Sequence, residues 1–340
     1  MARNESGPAR LDRADVEAAL AVAVHAPSIH NTQPWVWQLG PDALVLRADR
    51  TRQLAVADPD GHSLLVSCGA ALHLTELALR AQGWQLETEL LPDPHDSDVL
   101  ARFRPLSHAS ADGDTEAEVE AALRRRSDRR PFAAQGVPSE VAEELRAAGS
   151  GDGAHVHFPT RTDERIDLAV AVTWADRVER NDEAYKEEMN RWLRDPDVHA
   201  LVDGIPVDVI PHVPADAPRH ANVPLRDFEV GVTGKLLIDR DVDEKPLIAV
   251  VLTNGDEPID HLQAGRAMIR VMLAAELRGL STCVLSQAVD FAAFRTRVQG
   301  LMGWVGYPQI MMRVGYPNAP LSELATTPRR EPSAVLIATP

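Results

Sequence analysis

Apolar positions recur along this chain with two periods, one helical and one of strand type, and their changes mark out most of the elements. From Asp12, which reads as an N-cap, Val16, Ala19, Leu20 and Ala23 share one helical face, predicting a short helix that stops before Pro27. After a loop over 26–34, Trp35–Leu39 and Ala43–Leu46 read as two strands joined by the turn residues Gly40, Pro41 and Asp42. A long apolar helix over His62–Gln82 then stops at Gly83, and Trp84–Leu91 resumes as strand.

The second half repeats that order. The apolar strand Leu247–Leu252 runs into a turn at Asn254, Gly255 and Asp256, a helix over Ile259–Arg278, a stop at Gly279 and the strand Ser281–Ser286. Gly69 precedes Gly83 by 14 positions and Gly265 precedes Gly279 by 14; between them Ala71 and Ala267, Leu77 and Leu273, and Ala78 and Ala274 coincide. Two Ala- and Leu-rich helices can align by chance, but the run of coincidences reads better as a duplicated strand, helix, strand unit.

Between the units, Glu116–Phe132 reads as a helix ending in an arginine cluster, Pro138–Ala147 as a helix capped by Ser139, and Ala154–Phe158 as a strand. A long amphipathic helix over Asp163–Leu193 carries Ile166, Val170, Trp174 and Val178 on one face. Residues Asp195–Leu225 hold six prolines with little periodicity, which marks a lid, a binding loop or disorder. A helix over Asp290–Gln299, the strand Gln309–Val314 and the tail Thr326–Arg330 close the pattern.

Composition narrows the function. A chain of 340 residues, 44% apolar, can bury a sizeable core. Its formal charge of −16 repels phosphate backbones and anionic lipid, so neither nucleic acid nor a membrane is an expected partner. Two cysteines, Cys68 and Cys283, fit a reducing compartment and provide no disulfide framework or thiolate metal cage. The N-terminus lacks a signal-peptide pattern and no apolar run reaches the roughly 20 residues that span a bilayer, so a cytoplasmic protein is expected.

Two stretches carry candidate chemistry. Arg124-Arg125-Arg126-Ser127-Asp128-Arg129-Arg130 sets five guanidinium groups within seven positions of an acidic protein, and Arg329-Arg330 adds a pair near the far end. Such a cluster suits a phosphate dianion or is a solvated basic face answering nearby carboxylates. Ala26-Pro27-Ser28-Ile29-His30-Asn31-Thr32-Gln33-Pro34-Trp35 brackets small hydroxyl and amide groups with prolines, either to present hydrogen-bond partners to a heterocycle or as ordinary turn chemistry. His30, by its loop context, is expected to be exposed. Other motifs fail: Gly149–Gly153 follows a helix and precedes a strand, the reverse of a dinucleotide-binding order, His155 and His157 lack partners at metal-ligand spacing, and no Gly-x-Ser-x-Gly elbow occurs.

The Pro27-to-Trp35 string resembles the Pro-Ser-x-x-Asn-x-Gln-Pro-Trp segment of the nitroreductase family, and Arg125-Arg126-Ser127-Asp128-Arg129 resembles that family's Arg-x-Ser-x-Arg start. The order of the two motifs is reversed here, which together with the repeat resembles the Acg subgroup, nearly throughout the chain. The resemblance implies an α+β, nitroreductase-type fold in which two related halves, 1–112 and 113–340, form an intramolecular pseudo-dimer, with 195–225 as a lid. It implies one FMN per chain, with Arg125 and Ser127 at its phosphate and ribityl ends, Arg129 in support, and Arg329 and Arg330 completing the phosphate site. Ser28, Ile29 and Asn31 would lie against the ribityl chain and ring, and backbone groups of Leu285, Ser286 and Gln287 near the flavin N5 edge; no metal is implied. The implied activity is electron transfer from NAD(P)H to a nitro, quinone or similar small-molecule acceptor. The alternatives are a flavin-sequestering protein closed by its lid, and a homologue that binds no flavin.

Overall fold

The computed structural model describes residues 9–109, 113–197, 201–212, 234–236, 243–290, 292–303 and 305–337. Helix α1 (Arg13–Ala23) starts from Asp12, whose carboxylate caps Asp15 while Asp15 caps back. Strands β1 (Trp35–Leu39) and β2 (Leu44–Ala48) form the expected hairpin, and α2 (His62–Ala81) leads through Gly83, at φ 92°, into β3 (Trp84–Leu90). Strand β4 (Val99–His108), where no element was predicted, pairs with both β2 and β3.

Four further predictions are corrected in the middle of the chain. Helix α3 (Gly113–Arg124) stops at Arg124, and the arginine run beyond it is extended, with Ser127 bridged to Thr282. Helix α4 (Ser139–Gly149) has Pro138 as N-cap and no side-chain cap, so Ser139 is its first helical residue. Strand β5 (Ala154–His157) is as expected, but the single long helix is two, α5 (Thr162–Asn181) and α6 (Glu183–Trp192). Asp182 breaks it: its backbone is extended and its carboxylate accepts from Ala184 and Tyr185, starting a new helix. The apolar face of α5 is also reversed in role, because Leu168, Ala171, Val172 and Ala175 go inward while Ile166, Val170, Trp174 and Val178 stay exposed.

Strands β6 (Leu193–Arg194) and β7 (Ile205–Pro206) pair in parallel within the proline-rich stretch, of which 198–200 and 213–225 lie outside the described residues. Strand β8 (Leu247–Thr253), helix α7 (Pro258–Leu277) and strand β9 (Ser281–Val284) form the repeat unit. Then come α8 (Gln287–Asp290), α9 (Ala292–Leu301), β10 (Tyr307–Gly315), α10 (Pro332–Val335) and β11 (Leu336–Ile337). The predicted contribution of Phe291 and of the Phe294 side chain to the helix after β9 lies outside the described residues.

Besides the two-stranded β6-β7 pair, the described residues form two larger sheets, ordered β11-β1-β2-β4-β3 and β5-β8-β10-β9. With β11 set aside, both are four-stranded, antiparallel throughout, and follow the same path. Helices α2 and α7 pack against each other between them. A Cβ on Gly69 would lie 2.1 Å from the Leu262 carbonyl oxygen, and one on Gly265 would lie 2.0 Å from that of Val66. Val66 stands three residues before Gly69 and Leu262 three before Gly265, so the close contact is reciprocal. Helix α2 is long and apolar enough to cross a membrane, but 83% of that window is buried inside the protein. Among the described strands, one pairing joins the two sequence halves: β11 pairs with β1 at the edge of the N-terminal sheet.

Candidate anion-binding pocket between the halves

The extended path after α3 sorts the arginines. Arg130 forks onto Asp128, with Nε and Nη2 each 2.9 Å from a carboxylate oxygen, and Arg124 pairs with Glu120 and Glu276 at the surface. Arg125, Arg126, Ser127 and Arg129 instead line a pocket, with Arg329 reaching it from the C-terminal tail. Among the described residues, none of Arg125, Arg126 and Arg329 forms an ion pair with a carboxylate; Arg125 donates to the His25 carbonyl at 2.8 Å.

Burial and then the charge of Arg126 push the Arg125 guanidinium down to about 10, and burial followed by Arg125 and Arg126 pushes Arg329 down to about 9. The same surroundings hold His25 neutral, lowered to about 4 by burial, then Arg329, Arg125 and Arg126. The Nε atoms of Arg125 and Arg329 are buried with no partner. Like charges brought together out of water are unfavourable unless an anion joins them.

The loop after α1 forms the facing wall with Pro27, Ser28, Ile29, His30 and Asn31. His30, Asn31 and Gln33 hold left-handed backbones at φ 46°, 55° and 51°, a strain that surrounding bonds must maintain. The Ile29 amide donates to Ser67 Oγ at 3.0 Å and the Gln33 amide to Ser28 Oγ at 3.0 Å. Asn31 Nδ2 donates to the carbonyls of Gly204 (2.9 Å) and Pro328 (3.0 Å), and its Oδ1 accepts from Arg329 at 3.2 Å. Asn31 therefore knots three chain segments together. His30, contrary to expectation, is buried, because the strained turn folds it inward.

At the other end, Ser63, Val66 and Ser67 of α2, Met268 of α7, Ile310 of β10, and Cys283, Val284 and Ser286 complete the wall. Ser63 Oγ and Ser286 Oγ donate to the two oxygens of buried Asp290, at 3.0 and 2.9 Å. Asp58 receives the amides of Ser63 and Leu64 at the start of α2; burial and then Asp290 push its carboxyl up to about 7 against those two bonds.

Of the residues chosen from sequence, Ser28, Ile29, Asn31, Arg125, Ser127, Arg129, Ser286 and Arg329 meet at this pocket. Three do not line it. Leu285 is buried and its amide donates to the Met311 carbonyl at 2.8 Å, in line with the β-ladder. Gln287 is buried behind the wall. Arg330 donates to the carbonyls of Gln33, Trp35 and Ala334, tying the tail to the loop after α1. Sequence reasoning assigned no site role to Ser63, Ser67, Arg126, Ile205, Met268 or Cys283; Arg126 stands within the arginine cluster already singled out, and Ser63 and Ser67, hydroxyls one turn apart on an apolar helix, left a second visible signal.

Residues 201–206 pass the loop after α1 at this pocket. Ile205 lines it, Gln33 Nε2 donates to the Val202 carbonyl at 3.0 Å, and the Gly204 amide donates to Asn31 O at 3.2 Å. Asp203 is held between Arg194 (2.6 Å) and Arg52 (2.9 Å).

Two like antiparallel sheets around a pair of reciprocally packed helices, with a pocket lined by arginines and by residues of both sequence halves, define an α+β protein. The chain belongs to the nitroreductase family, whose profile matches residues 122–316, and within that family it is Acg-like. It is 34% identical over 339 residues to "Putative NAD(P)H nitroreductase Rv3131" of Mycobacterium tuberculosis, covering 97% of this chain and 94% of that one. It is 30% identical over 322 residues to "Putative NAD(P)H nitroreductase acg" of the same species, covering 93% of each. Among solved structures, a Bacteroides fragilis nitroreductase with bound FMN aligns at 14% identity and TM-score 0.36, covering 62% of this chain and 94% of that one.

Proposed function

We propose that this chain is an FMN-dependent oxidoreductase of nitroreductase type, an intramolecular pseudo-dimer holding one FMN between halves 1–112 and 113–340. The observation that carries this reading is the convergence of Arg125, Arg126 and Arg329 on Ser127 without a pairing carboxylate. That donor set fits a phosphate monoester: a dianion accepts several charge-assisted bonds, and the orphaned Nε atoms of Arg125 and Arg329 call for such an acceptor. Among its described residues the N-terminal half contributes no second cluster of this kind, which supports one cofactor per chain.

When bound, FMN supplies the redox chemistry, carrying electrons from NAD(P)H to a nitro, quinone or similar acceptor. The protein's own groups bind and orient. Arg125, Ser127 and Arg329, with Arg126 and Arg129, hold the phosphate end; Ser28 and Ile29 bound the middle, with Asn31 fixing their loop. Val66, Met268 and Ile310 provide apolar surface at the far end, where Ser63 and Ser286 are held in place by Asp290. Protein purified without added cofactor should be yellow, with about one FMN per chain, and should bleach on anaerobic mixing with NADPH. A colourless protein that takes up no FMN sinks the reading.

The segment 201–206 favours a second reading, in which flavin is held but acceptors are kept out. Asp203→Asn removes the clasp to Arg52 and Arg194. If the segment limits access, flavin reduction by NADPH in this variant speeds up at least several-fold; equal rates return the site to an ordinary open reductase.

A further inference from the structure

The outward face of α5 was the least expected feature of the middle region. Ile166, Val170, Trp174 and Val178 are 57%, 50%, 51% and 43% exposed, one helical turn apart. Single exposed apolar residues are ordinary, but a continuous row of four along one helix marks an interaction surface. The Arg297 guanidinium lies 5.8 Å from the Trp174 ring centroid and braces it.

The polar residues of the same face decide what covers it. Thr162, Asp163, Asp167, Thr173, Arg177 and Asn181 are the other exposed positions of α5. About the point midway between Val170 and Trp174, the apolar row and one pair of opposite charges on this face are placed symmetrically, whereas exposed Thr173 mirrors buried Ala171. Ile166 mirrors Val178, Val170 mirrors Trp174, and Asp167 mirrors Arg177. Among the described residues neither Asp167 nor Arg177 has an ion-pair partner, and on one helix they are about 15 Å apart along the axis, too far to serve each other. Laid antiparallel on a second α5, each apolar side chain meets an apolar one and Asp167 meets the other copy's Arg177, twice. Self-complementarity of this kind is the signature of a two-fold interface.

We infer that α5 is a homodimerisation ridge through which two copies of this chain pair antiparallel, closed by reciprocal Asp167–Arg177 ion pairs. Four half-exposed side chains fall short of the roughly 800 Å² per partner of a standard interface, so the association is micromolar and concentration-dependent. It is independent of the cofactor reading.

Sedimentation velocity of the full chain across the micromolar range should show a monomer–dimer equilibrium. Asp167→Arg alone, which sets Arg against Arg177, should weaken dimerisation at least about tenfold. Combining it with Arg177→Asp should restore the wild-type constant to within about threefold. Val170→Asp should yield monomer with an unchanged circular dichroism spectrum. A wild-type chain that stays monomeric throughout the range overturns the inference, whatever else covers the ridge; so does a dimer indifferent to Asp167→Arg and Val170→Asp.

Discussion

Five arginines within seven residues look equivalent in sequence, and the fold makes them unequal. Arg130 is neutralised by Asp128 and Arg124 pairs with Glu120 and Glu276, whereas burial and then Arg126 hold Arg125 below its ordinary range, and burial and then Arg125 and Arg126 do the same to Arg329. The consequence is a graded mutational response. Arg125→Ala or Arg329→Ala should weaken FMN binding by about 1.5–3 kcal/mol, the range for bonds to a charged group, while Arg124→Ala should leave it within experimental error. Titration of apoprotein with FMN checks this, and three indistinguishable affinities would reduce the cluster to surface charge. The motif positions Arg125, Ser127, Ser28 and Asn31 were legible because each lies within a recognisable string. Arg330 stands outside the pocket, bonded to the carbonyls of Gln33 and Trp35, while Arg329 lines it, because adjacency in sequence says nothing of the direction of a side chain.

Among the elements, the paired helices were visible from their periodicity, and the structure supplies a reason for their glycines. A glycine inside a helix costs about 1 kcal/mol relative to alanine, and both halves accept that cost where α2 and α7 touch. Gly69→Ala or Gly265→Ala would drive a methyl group into the opposing backbone carbonyl, which cannot move aside as a side chain can. Each should destabilise the fold by about 1–3 kcal/mol, seen as a lower denaturant midpoint, whereas Gly113→Ala, which meets nothing within 4 Å, should not. Strand β4 escaped prediction because Pro105 and the charges of Arg102 and Arg104 mask its alternation. Pro105 stands next to the register shift against β3, where a missing amide does least harm. The break at Asp182 escaped because a capping carboxylate in a charged helical run looks like any other acid.

For the whole molecule, buried ionisable groups set the response to acid. Burial, then His261 and Arg295, hold His62 near 3; burial, then Arg270, Arg266 and Arg80, hold His73 near 3. Below about 6.5 the unfolded chain takes up protons that these rings refuse, so each removes up to about 1.4 kcal/mol per pH unit as pH falls. Asp58, raised to about 7, opposes them between its ordinary value and 7, since the folded form then retains a proton the unfolded form has lost. His25, lowered to about 4, acts in the same direction, so three histidines against one carboxyl leave a net loss of stability from about pH 6 downward, and His73→Gln should flatten it. Denaturant midpoints that do not differ between pH 7 and pH 5, or an unchanged slope in His73→Gln, would contradict this balance. The likeness of the two halves was legible in the repeat, but the crossing of β11 to β1 was not, since two residues at the end of a tail carry no pattern. That crossing has a consequence in time. A chain is made from its N-terminus, so the edge of β1 stays bare until residues 336–337 emerge, and the pocket lacks a wall until Arg329 does. Through synthesis the newborn protein carries an open strand edge of the kind that invites mispairing, and the proposed FMN site stays incomplete until Arg329 has been translated.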